Sequence, residues 1–480
     1  MAWAEGNDPG GESVSLIGGA VVPHGTPPCG HKTLYAGFLG PRGGAQQGRS
    51  GVQHNVGAWI RRRRVGVVPV LVVAPLMLAS ACFGASSAEE RPKPPAAQVT
   101  IEPQDGTEKV RPEDPIKIAA SKGTLQSVSV KSSKDRVLQG ELSPDRTTWT
   151  SRWTLHPSTS YDVEATAVNP DGRETQVKSS FSTLDPKSSL DASSVIEDGQ
   201  KVGVGMPIIV NFDSPVYNKK NVERALEVRT SEAVTGAWYW MNRQEVHFRP
   251  KKYWPANSKV RLVGHLTGVR AGKGMYGTDD LNVNFKIGDK HISKIDTNDH
   301  TMTVKENGDK IKTFPMSAGR SSYPTTSGTH VVFERSPVVV MDSATVGIPK
   351  GSPEYYRITA YWTVKFTFSG LYTHSAPWSL YAQGNSNVSH GCINLSPDRA
   401  KWFYDWSLVG DIIKITGTPR ELEWGNGWTD WEKPWDEWLE GSALDEPVKT
   451  NQLDGTARSP SPTSSATGSP TSTSSPTQSP

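Results

Sequence analysis

The chain is organised around the stretch His374-Ser375-Ala376-Pro377-Trp378, a Gly/Asn/Ser-rich loop, and then Ser389-His390-Gly391-Cys392-Ile393-Asn394. Cys392 is the only cysteine in the downstream globular part of the chain. A thiol needs a base to become a nucleophilic thiolate near neutral pH, and His374 and His390 are the nearest bases in sequence. The pattern predicts a cysteine nucleophile activated by a histidine.

Two short strands are predicted on either side of the loop. One begins at Cys392, and the other includes Lys365 to Phe368 and leads into His374. If these strands are neighbours in one sheet, His374 and Cys392 lie side by side. Gly391 makes a tight turn before the cysteine and lets backbone N–H groups approach a reacting carbonyl, as an oxyanion hole requires.

This pattern resembles the signature of the L,D-transpeptidases of the YkuD type, in particular the actinobacterial branch that carries immunoglobulin-like domains. The resemblance implies that Cys392 is the nucleophile and His374 the base, held by the backbone carbonyl of Ser375. The N–H groups of Gly391 and Cys392 are predicted oxyanion donors, and the Tyr356 hydroxyl is implied as another, with the adjoining Tyr355 as its alternative. The predicted substrate pocket has apolar walls and polar neighbours: Met341, Phe368, Trp378, Ser389, His390 and Asn394. The loop 341–357 is the predicted lid.

The resemblance also implies a reaction. The thiolate attacks the carbonyl between a diamino acid and the D-Ala at position four of a peptidoglycan stem peptide. D-Ala leaves, and the side-chain amine of a second stem resolves the thioester to give a 3→3 cross-link. Carbapenems are expected to acylate the same cysteine, and no cofactor or metal is expected.

Other interpretations of the motif remain open. The same thioester could pass to water, which gives a carboxypeptidase, or to another protein's amine. A lone cysteine can be a small buried apolar residue in a non-catalytic wall-binding lipoprotein. His374, His390 and Cys392 could also bind zinc, although the usual closely paired ligand spacing is missing.

The N-terminal region predicts export. Arg61 to Arg64 precede an apolar run that ends at Ala81, so 61–81 is a predicted signal peptide. The residues before Cys82 resemble a bacterial lipobox, with Ala79 where Leu, Val or Ile is usual, which predicts lipidation of Cys82 and a lipoprotein on the outer face of the cytoplasmic membrane. Residues 1–60 are interpreted as an N-terminal extension without an assigned fold, and 82–97 as a tether.

The rest of the chain predicts a mainly β protein. Residues 82–480 have a net charge of −1, which gives no reason to expect nucleic-acid binding. Short alternating segments separated by turns predict two immunoglobulin-like domains, at 98–185 and 186–288. Trp238 and Trp240 are interpreted as buried core residues, with glycan binding as the alternative.

Three further segments complete the prediction. A β-rich catalytic domain with one or two helices is expected at 289–417, including a helix over 398–408. The Trp-rich segment 418–450 is predicted to pack on the catalytic domain. Residues 451–480, mostly Ser, Thr and Pro, are predicted to be disordered because such a composition cannot bury a core.

Overall fold

The computed structural model describes residues 94–134 and 136–453. The predicted extension, the signal peptide, Cys82 and most of the tether and of the Ser/Thr/Pro tail lie outside the described residues. Within the described ranges, no helix is long and apolar enough to span a membrane.

The first domain is a sandwich of two sheets, whose strand orders are β1-β3-β6-β5 and β2-β8-β7-β4. All neighbouring strands are antiparallel except β2 and β8, which are parallel. In β7 the strict alternation of the sequence places Tyr161, Val163, Ala165 and Ala167 in the core and their neighbours outward. The eight strands are β1 (Gln98–Glu102), β2 (Thr107–Val110), β3 (Lys117–Ser121), β4 (Thr124–Ser132), β5 (Gly140–Leu142), β6 (Thr148–Ser151), β7 (Ser160–Val168) and β8 (Glu174–Thr183).

The second domain has its own core and is also a sandwich. Its elements are β9 (Ser188–Leu190), β10 (Ala192–Ser194), β11 (Lys201–Val202), β12 (Ile208–Phe212), α1 (Lys219–Ala225), β13 (Leu226–Thr230), β14 (Thr235–Trp240), β15 (Glu245–Pro250), β16 (Lys259–Gly264), β17 (Arg270–Gly272), β18 (Met275–Gly277) and β19 (Leu281–Ile287). The two main sheets run β10-β12-β15-β14 and β11-β19-β16-β13. Trp238 and Trp240 are both buried in this core, as predicted, and therefore present no stacking face to a glycan.

The catalytic domain also packs two sheets around a core, with strand orders β22-β21-β20-β28-β23 and β24-β25-β26-β27. Its elements are β20 (His291–Asp296), β21 (Thr301–Glu306), β22 (Asp309–Pro315), β23 (Gly328–Val331), β24 (Glu334–Asp342), β25 (Arg357–Lys365), β26 (Tyr372–Ser375), β27 (Ile393–Leu395), α2 (Pro397–Trp406) and β28 (Ile412–Thr416), with 3₁₀ turns at Ser343–Val346 and Pro377–Ser379. Helix α2 corresponds to the helix predicted over 398–408. Pro397 begins it, as the fixed φ of proline allows.

The Trp-rich segment packs more widely than predicted. Its elements are α3 (Trp435–Leu439) and β29 (Val448–Lys449). Strand β30 (Asn451–Gln452) follows directly, at the start of the stretch predicted to be disordered, so that prediction is wrong for these two residues, which pair with β13. Strand β29 extends one sheet of the second domain beside β14, and β30 extends the other beside β13. The indole of Trp438 is fully buried and donates to the Ala237 carbonyl at 3.0 Å.

The same segment also contacts the catalytic domain, where Asn426 Oδ1 accepts from the Ser369 N–H at 2.8 Å. The prediction that it packs on the catalytic domain was therefore incomplete, because most of its strand pairing and aromatic burial is against the second domain. Its evenly spaced tryptophans do not form one long helix, since only Trp435–Leu439 is α-helical.

Candidate active site

Two neighbouring strands bring the motif residues together. β26 and β27 pair in parallel, with His374 opposite Asn394. Side chains two residues apart in an extended segment point the same way, so Cys392 lies on the same side as Asn394. The predicted proximity of the two motif strands is thus confirmed, and they place His374, Cys392 and Asn394 around one cavity. The predicted strand over Lys365 to Phe368 is wrong in its bounds, because Lys365 ends β25 and residues 366–371 form the turn that leads into β26.

His374 is buried and oriented by a single backbone group. Its Nδ1 lies 2.9 Å from the Ser375 carbonyl oxygen, the acceptor that the sequence resemblance implied. A carbonyl only accepts, so Nδ1 carries the hydrogen and Nε2 is left with a free lone pair. Burial lowers the pKa of His374 below its usual value, and the hydrogen bond to Ser375 offsets this in part. The ring is a neutral base at neutral pH.

Cys392 is 8% exposed and packs with Met341, Ala360 and Tyr372. Burial raises the pKa of its thiol to about 11, because a charged thiolate is disfavoured away from water. Its Sγ donates to the Gly370 carbonyl at 3.8 Å. Burial therefore favours the neutral form of both the thiol and the imidazole.

Gly391 has a φ of +124°, and a Cβ added there would lie 2.7 Å from a methyl carbon of Leu371. Only glycine fits this turn without strain. The Gly391 N–H donates to Ser389 Oγ at 3.0 Å, and that hydroxyl donates to the Cys392 carbonyl at 2.7 Å. The Gly391 N–H, predicted as an oxyanion donor, is therefore already bonded within the turn in this structure, and its role toward an intermediate stays a prediction. The Cys392 N–H is the remaining backbone candidate.

Tyr356 lines the cavity, whereas Tyr355 does not, which decides between the two neighbours. Burial, together with a smaller contribution from the charge of Cys392, raises the pKa of the Tyr356 hydroxyl to about 12. The hydroxyl is therefore a neutral hydrogen-bond donor near the sulfur. Its backbone is clamped to Ser343, with the Ser343 N–H donating to the Tyr356 carbonyl at 3.0 Å and the Tyr356 N–H donating to Ser343 Oγ at 2.9 Å.

The cavity has a volume of about 260 Å³. Of the predicted pocket residues, Met341, Trp378, Ser389, His390 and Asn394 line it, together with the predicted catalytic residues His374, Tyr356 and Cys392. Phe368 does not, which corrects the prediction: its ring packs on Phe333 at 4.9 Å and is 57% exposed. The β-turn after Lys365 directs it away from the sulfur. Sequence reasoning missed four lining residues: Ile358, Ser379, Tyr381 and Val388.

Asn394 carries an unused acceptor into this cavity. Its Nδ2 donates to Ser379 Oγ at 3.0 Å, and that hydroxyl in turn lies 3.2 Å from the Ala376 carbonyl. Its Oδ1 is buried and has no hydrogen-bond partner among the described residues. Buried polar atoms without partners are rare, so this oxygen is an exception that the surrounding side chains do not satisfy.

His390 belongs to a charged cluster that sequence reasoning also missed. Its Nε2 lies 3.0 Å from Glu354 Oε2 and 2.9 Å from Arg320 Nη2, and Arg320 and Glu354 form an ion pair. The rings of Tyr323 and Tyr356 lie on either side of His390, at 4.8 and 4.9 Å. The three charged groups come from segments far apart in sequence, and no local motif indicates their contact.

No group of three His, Cys, Asp or Glu side chains within 94–134 and 136–453 is arranged to hold a metal ion. A larger, more open concavity of about 550 Å³ lies on the second domain, lined in part by Tyr217 and Arg243. Its lining has no Cys, Ser, Thr, Lys or His, so the smaller cavity around Cys392 is the one that pairs a thiol with a histidine base.

Comparison with known proteins supports the assignment of residues 289–417 as the catalytic domain. Residues 290–415 match the family described as the L,D-transpeptidase catalytic domain, and residues 107–270 match a bacterial Ig domain. L,D-transpeptidase 2 of Mycobacterium tuberculosis (strain CDC 1551 / Oshkosh) is 37% identical over 72% of this chain and 85% of its own length. L,D-transpeptidase 5 of M. tuberculosis (strain ATCC 25618 / H37Rv) is 36% identical over 78% of this chain and 84% of its own.

Among solved structures, an LD transpeptidase, LdtMt1, in complex with imipenem is 39% identical, with a TM-score of 0.42, over 48% of this chain and 100% of that one. The identity to these sequence relatives, over most of their length, identifies the family. The chain belongs to the L,D-transpeptidases, acyltransferases of peptidoglycan cross-linking, and carries a bacterial Ig domain ahead of its catalytic domain.

Proposed function

We propose that this enzyme forms 3→3 peptidoglycan cross-links through a thioester on Cys392. The observation that carries the proposal is the pairing of a fixed, neutral imidazole with a buried thiol around one cavity. The Ser375 carbonyl leaves Nε2 of His374 as the free base, and a buried neutral thiol loses its proton only as it attacks.

In the acylation step, Cys392 Sγ forms a bond to the carbonyl carbon of the third residue of a donor stem peptide. Its proton passes to His374 Nε2 at the same time. The tetrahedral intermediate then collapses, the C–N bond to D-Ala breaks, and the leaving amine takes the proton back from the imidazole. A thioester and free D-Ala result, and His374 is neutral again.

The negative oxygen of the intermediate needs donors that are already in place. We assign this role to the Cys392 N–H and the Tyr356 hydroxyl. The hydroxyl keeps its proton because its pKa is about 12, so it can donate throughout the cycle.

In the second step, the side-chain amine of an acceptor stem attacks the thioester carbonyl and transfers a proton to His374. The C–S bond breaks, and the imidazole returns that proton to the thiolate. Asn394 also lines the cavity, and we assign its side chain to contact the substrate beside the thioester. Hydrolysis competes with this step, since water could replace the amine and give a carboxypeptidase product.

We further propose that the enzyme is a lipoprotein that works in the cell wall from the outer face of the cytoplasmic membrane. The basic run at Arg61 to Arg64, the apolar segment after it and Cys82 support this proposal. The test is metabolic labelling with a fatty-acid analogue. Label that is lost in Cys82→Ala supports the anchor, and label that persists in this variant contradicts it.

Carbapenems, which carry a strained amide carbonyl, are the inhibitors we expect, since the same thiol would open the ring and stay acylated. The test uses a soluble protein beginning near Ala97, with Cys392→Ala as the matched control, and intact-mass measurement after incubation. One added drug mass on the parent, absent from the variant, supports the nucleophile. A folded parent that gains no mass contradicts it.

Product analysis with a tetrapeptide donor then separates the two fates of the thioester. Cross-linked dimer as the main product supports transfer to the amine, whereas trimmed tripeptide alone supports the carboxypeptidase alternative.

A further inference from the structure

The charged cluster beside the active site joins three separate segments of the catalytic domain. Glu354 lies on the lid, residues 341–357, two residues before Tyr356. Arg320 begins the turn that comes after β22, and His390 precedes the nucleophile by two residues. Nothing in the proposed thioester chemistry uses Glu354 or Arg320 directly.

The contacts converge on one carboxylate. Glu354 Oε2 pairs with Arg320 Nη2 and lies 3.0 Å from His390 Nε2. Arg320 is itself held in place. Its backbone N–H donates to the Ser389 carbonyl at 3.0 Å, and its guanidinium lies 5.1 Å from the centre of the Tyr323 ring. The hydrogen bond from His390 and the charge of Arg320 lower the pKa of Glu354, so it is ionised at neutral pH.

The base of the lid is held by two hydrogen bonds that join Ser343 and Tyr356. The ring of Tyr356 packs against the imidazole of His390 with centroids 4.9 Å apart, and both residues line the cavity. The position of the Tyr356 hydroxyl relative to Cys392 therefore depends on how the lid segment carrying Glu354 is held against His390.

We propose that Glu354 is a positioning residue of the transpeptidase reaction. By binding Arg320 and His390 together, it holds the lid closed and places Tyr356 at the oxyanion position. This inference rests on the proposed role of Tyr356 in thioester formation. The role of Glu354 is separate from that of the nucleophile, because the carboxylate itself is not among the residues that line the cavity.

The test measures donor kinetics for Glu354→Gln, which keeps the shape and removes the charge. We expect kcat to fall roughly fivefold with the donor KM nearly unchanged, since partly exposed ion pairs contribute modestly. Glu354→Asp should recover part of the loss. Lys350→Gln, a charge change at an exposed lid position, is the matched control and should keep the parent kcat.

A double-mutant cycle then tests whether Glu354 acts through Tyr356. In a Tyr356→Phe background, Glu354→Gln should cause little further loss, because the positioned hydroxyl is already gone. Losses that multiply independently would overturn the inference. So would a lower donor KM in Glu354→Gln, which would show that the carboxylate occupies a site that substrate must enter.

Failure of the inference and failure of the proposed function give different results. If the parent forms no carbapenem adduct on Cys392, the thioester proposal fails. If the parent forms the adduct and Glu354→Gln forms it at the same rate with the same kcat, only the positioning role fails. Thermal unfolding of each variant checks that the fold is intact.

Discussion

Two buried histidines in this chain have opposite electrostatic surroundings. His374 contacts a backbone carbonyl, and burial lowers its pKa. Burial also acts on His247, but there Asp430 at 2.7 Å and Glu245 at 2.8 Å outweigh it and raise the pKa to about 9. Depth of burial is therefore a poor guide to the charge of a histidine. At these two positions the nearest acceptor decides: the Ser375 carbonyl leaves His374 a base, and the carboxylates of Asp430 and Glu245 favour the cation of His247.

The two histidines also serve different parts of the molecule. His374 faces the reactive cavity, where a proton must move. His247 lies on β15, where Asp430 of the Trp-rich segment meets the second domain. The comparison shows that a histidine acts in catalysis at position 374 and stabilises the contact between two segments at position 247. The predictions that follow test these two roles and the cavity around His374.

The largest effect is expected on activity. His374→Gln keeps a donor for the Ser375 carbonyl but removes the base, so kcat/KM should fall by about 10²- to 10⁴-fold. The free energy of unfolding should change little by comparison. Stopped reactions with a tetrapeptide donor measure the loss. A variant that keeps a tenth of the parent activity would show that another group accepts the thiol proton.

The next effect is on stability. His247→Leu leaves the buried Asp430 carboxylate without its cation and should lower the free energy of unfolding by about 3 to 5 kcal/mol. Glu245→Gln is the matched control, because this partner is 35% exposed and should cost about 1 kcal/mol or less. Urea unfolding of both variants makes the measurement. Equal losses of unfolding free energy in the two variants would show that the buried Asp430 carboxylate does not depend on His247 more than the exposed Glu245 does.

The same cation predicts how stability depends on pH. Because the folded-state pKa of His247 lies above the ordinary 6.5, its contribution is complete below that pH and is lost as pH rises through about 9. The free energy of unfolding should decrease by roughly 3 kcal/mol over this interval. Unfolding curves between pH 6 and 10 measure the slope. His247→Leu should flatten it, and an unchanged slope in that variant would assign the effect elsewhere.

The catalytic pair predicts a different pH response. With a thiol pKa of about 11, alkylation of Cys392 by iodoacetamide should still accelerate between pH 8 and 10. A thiolate–imidazolium pair would instead give a plateau below pH 8. Cys392→Ala corrects for reaction at other groups, and the rate profile of the soluble protein decides between the two states.

The smallest effect concerns the pocket wall. Phe368→Ala should change kcat/KM by less than about twofold, because the ring lies outside the cavity. Met341→Ala, its matched control, removes a lining side chain and should lower kcat/KM by roughly tenfold. Equal losses of kcat/KM in the two variants would show that Phe368 does contact the substrate.

Local sequence was sufficient where function depends on short spacing. The motif located Cys392 and His374 on neighbouring strands, and the residue after the histidine supplies the carbonyl at Nδ1. Strand alternation in the first domain and the burial of Trp238 and Trp240 also followed from pattern. Each of these features is set within a few residues by backbone geometry or by apolar burial.

The sequence was insufficient where contacts join distant segments. The pairing of Glu354 with Arg320 spans 34 residues, and that of Asp430 with His247 spans 183. Such contacts depend on tertiary packing, and a single sequence carries no local signal for them.

Strands β29 and β30 have a consequence for the order of synthesis. They extend both sheets of the second domain, yet the ribosome makes them about 160 residues after β19, behind the whole catalytic domain. Until then the edges of β13 and β14 lack these partners, and Arg249 lacks its contacts with Trp431 and Trp438. The second domain is therefore completed last, although its synthesis begins before that of the catalytic domain. A chain that ends before β29 has the whole catalytic domain, including Cys392, but leaves the edges of β13 and β14 in the second domain without their partner strands.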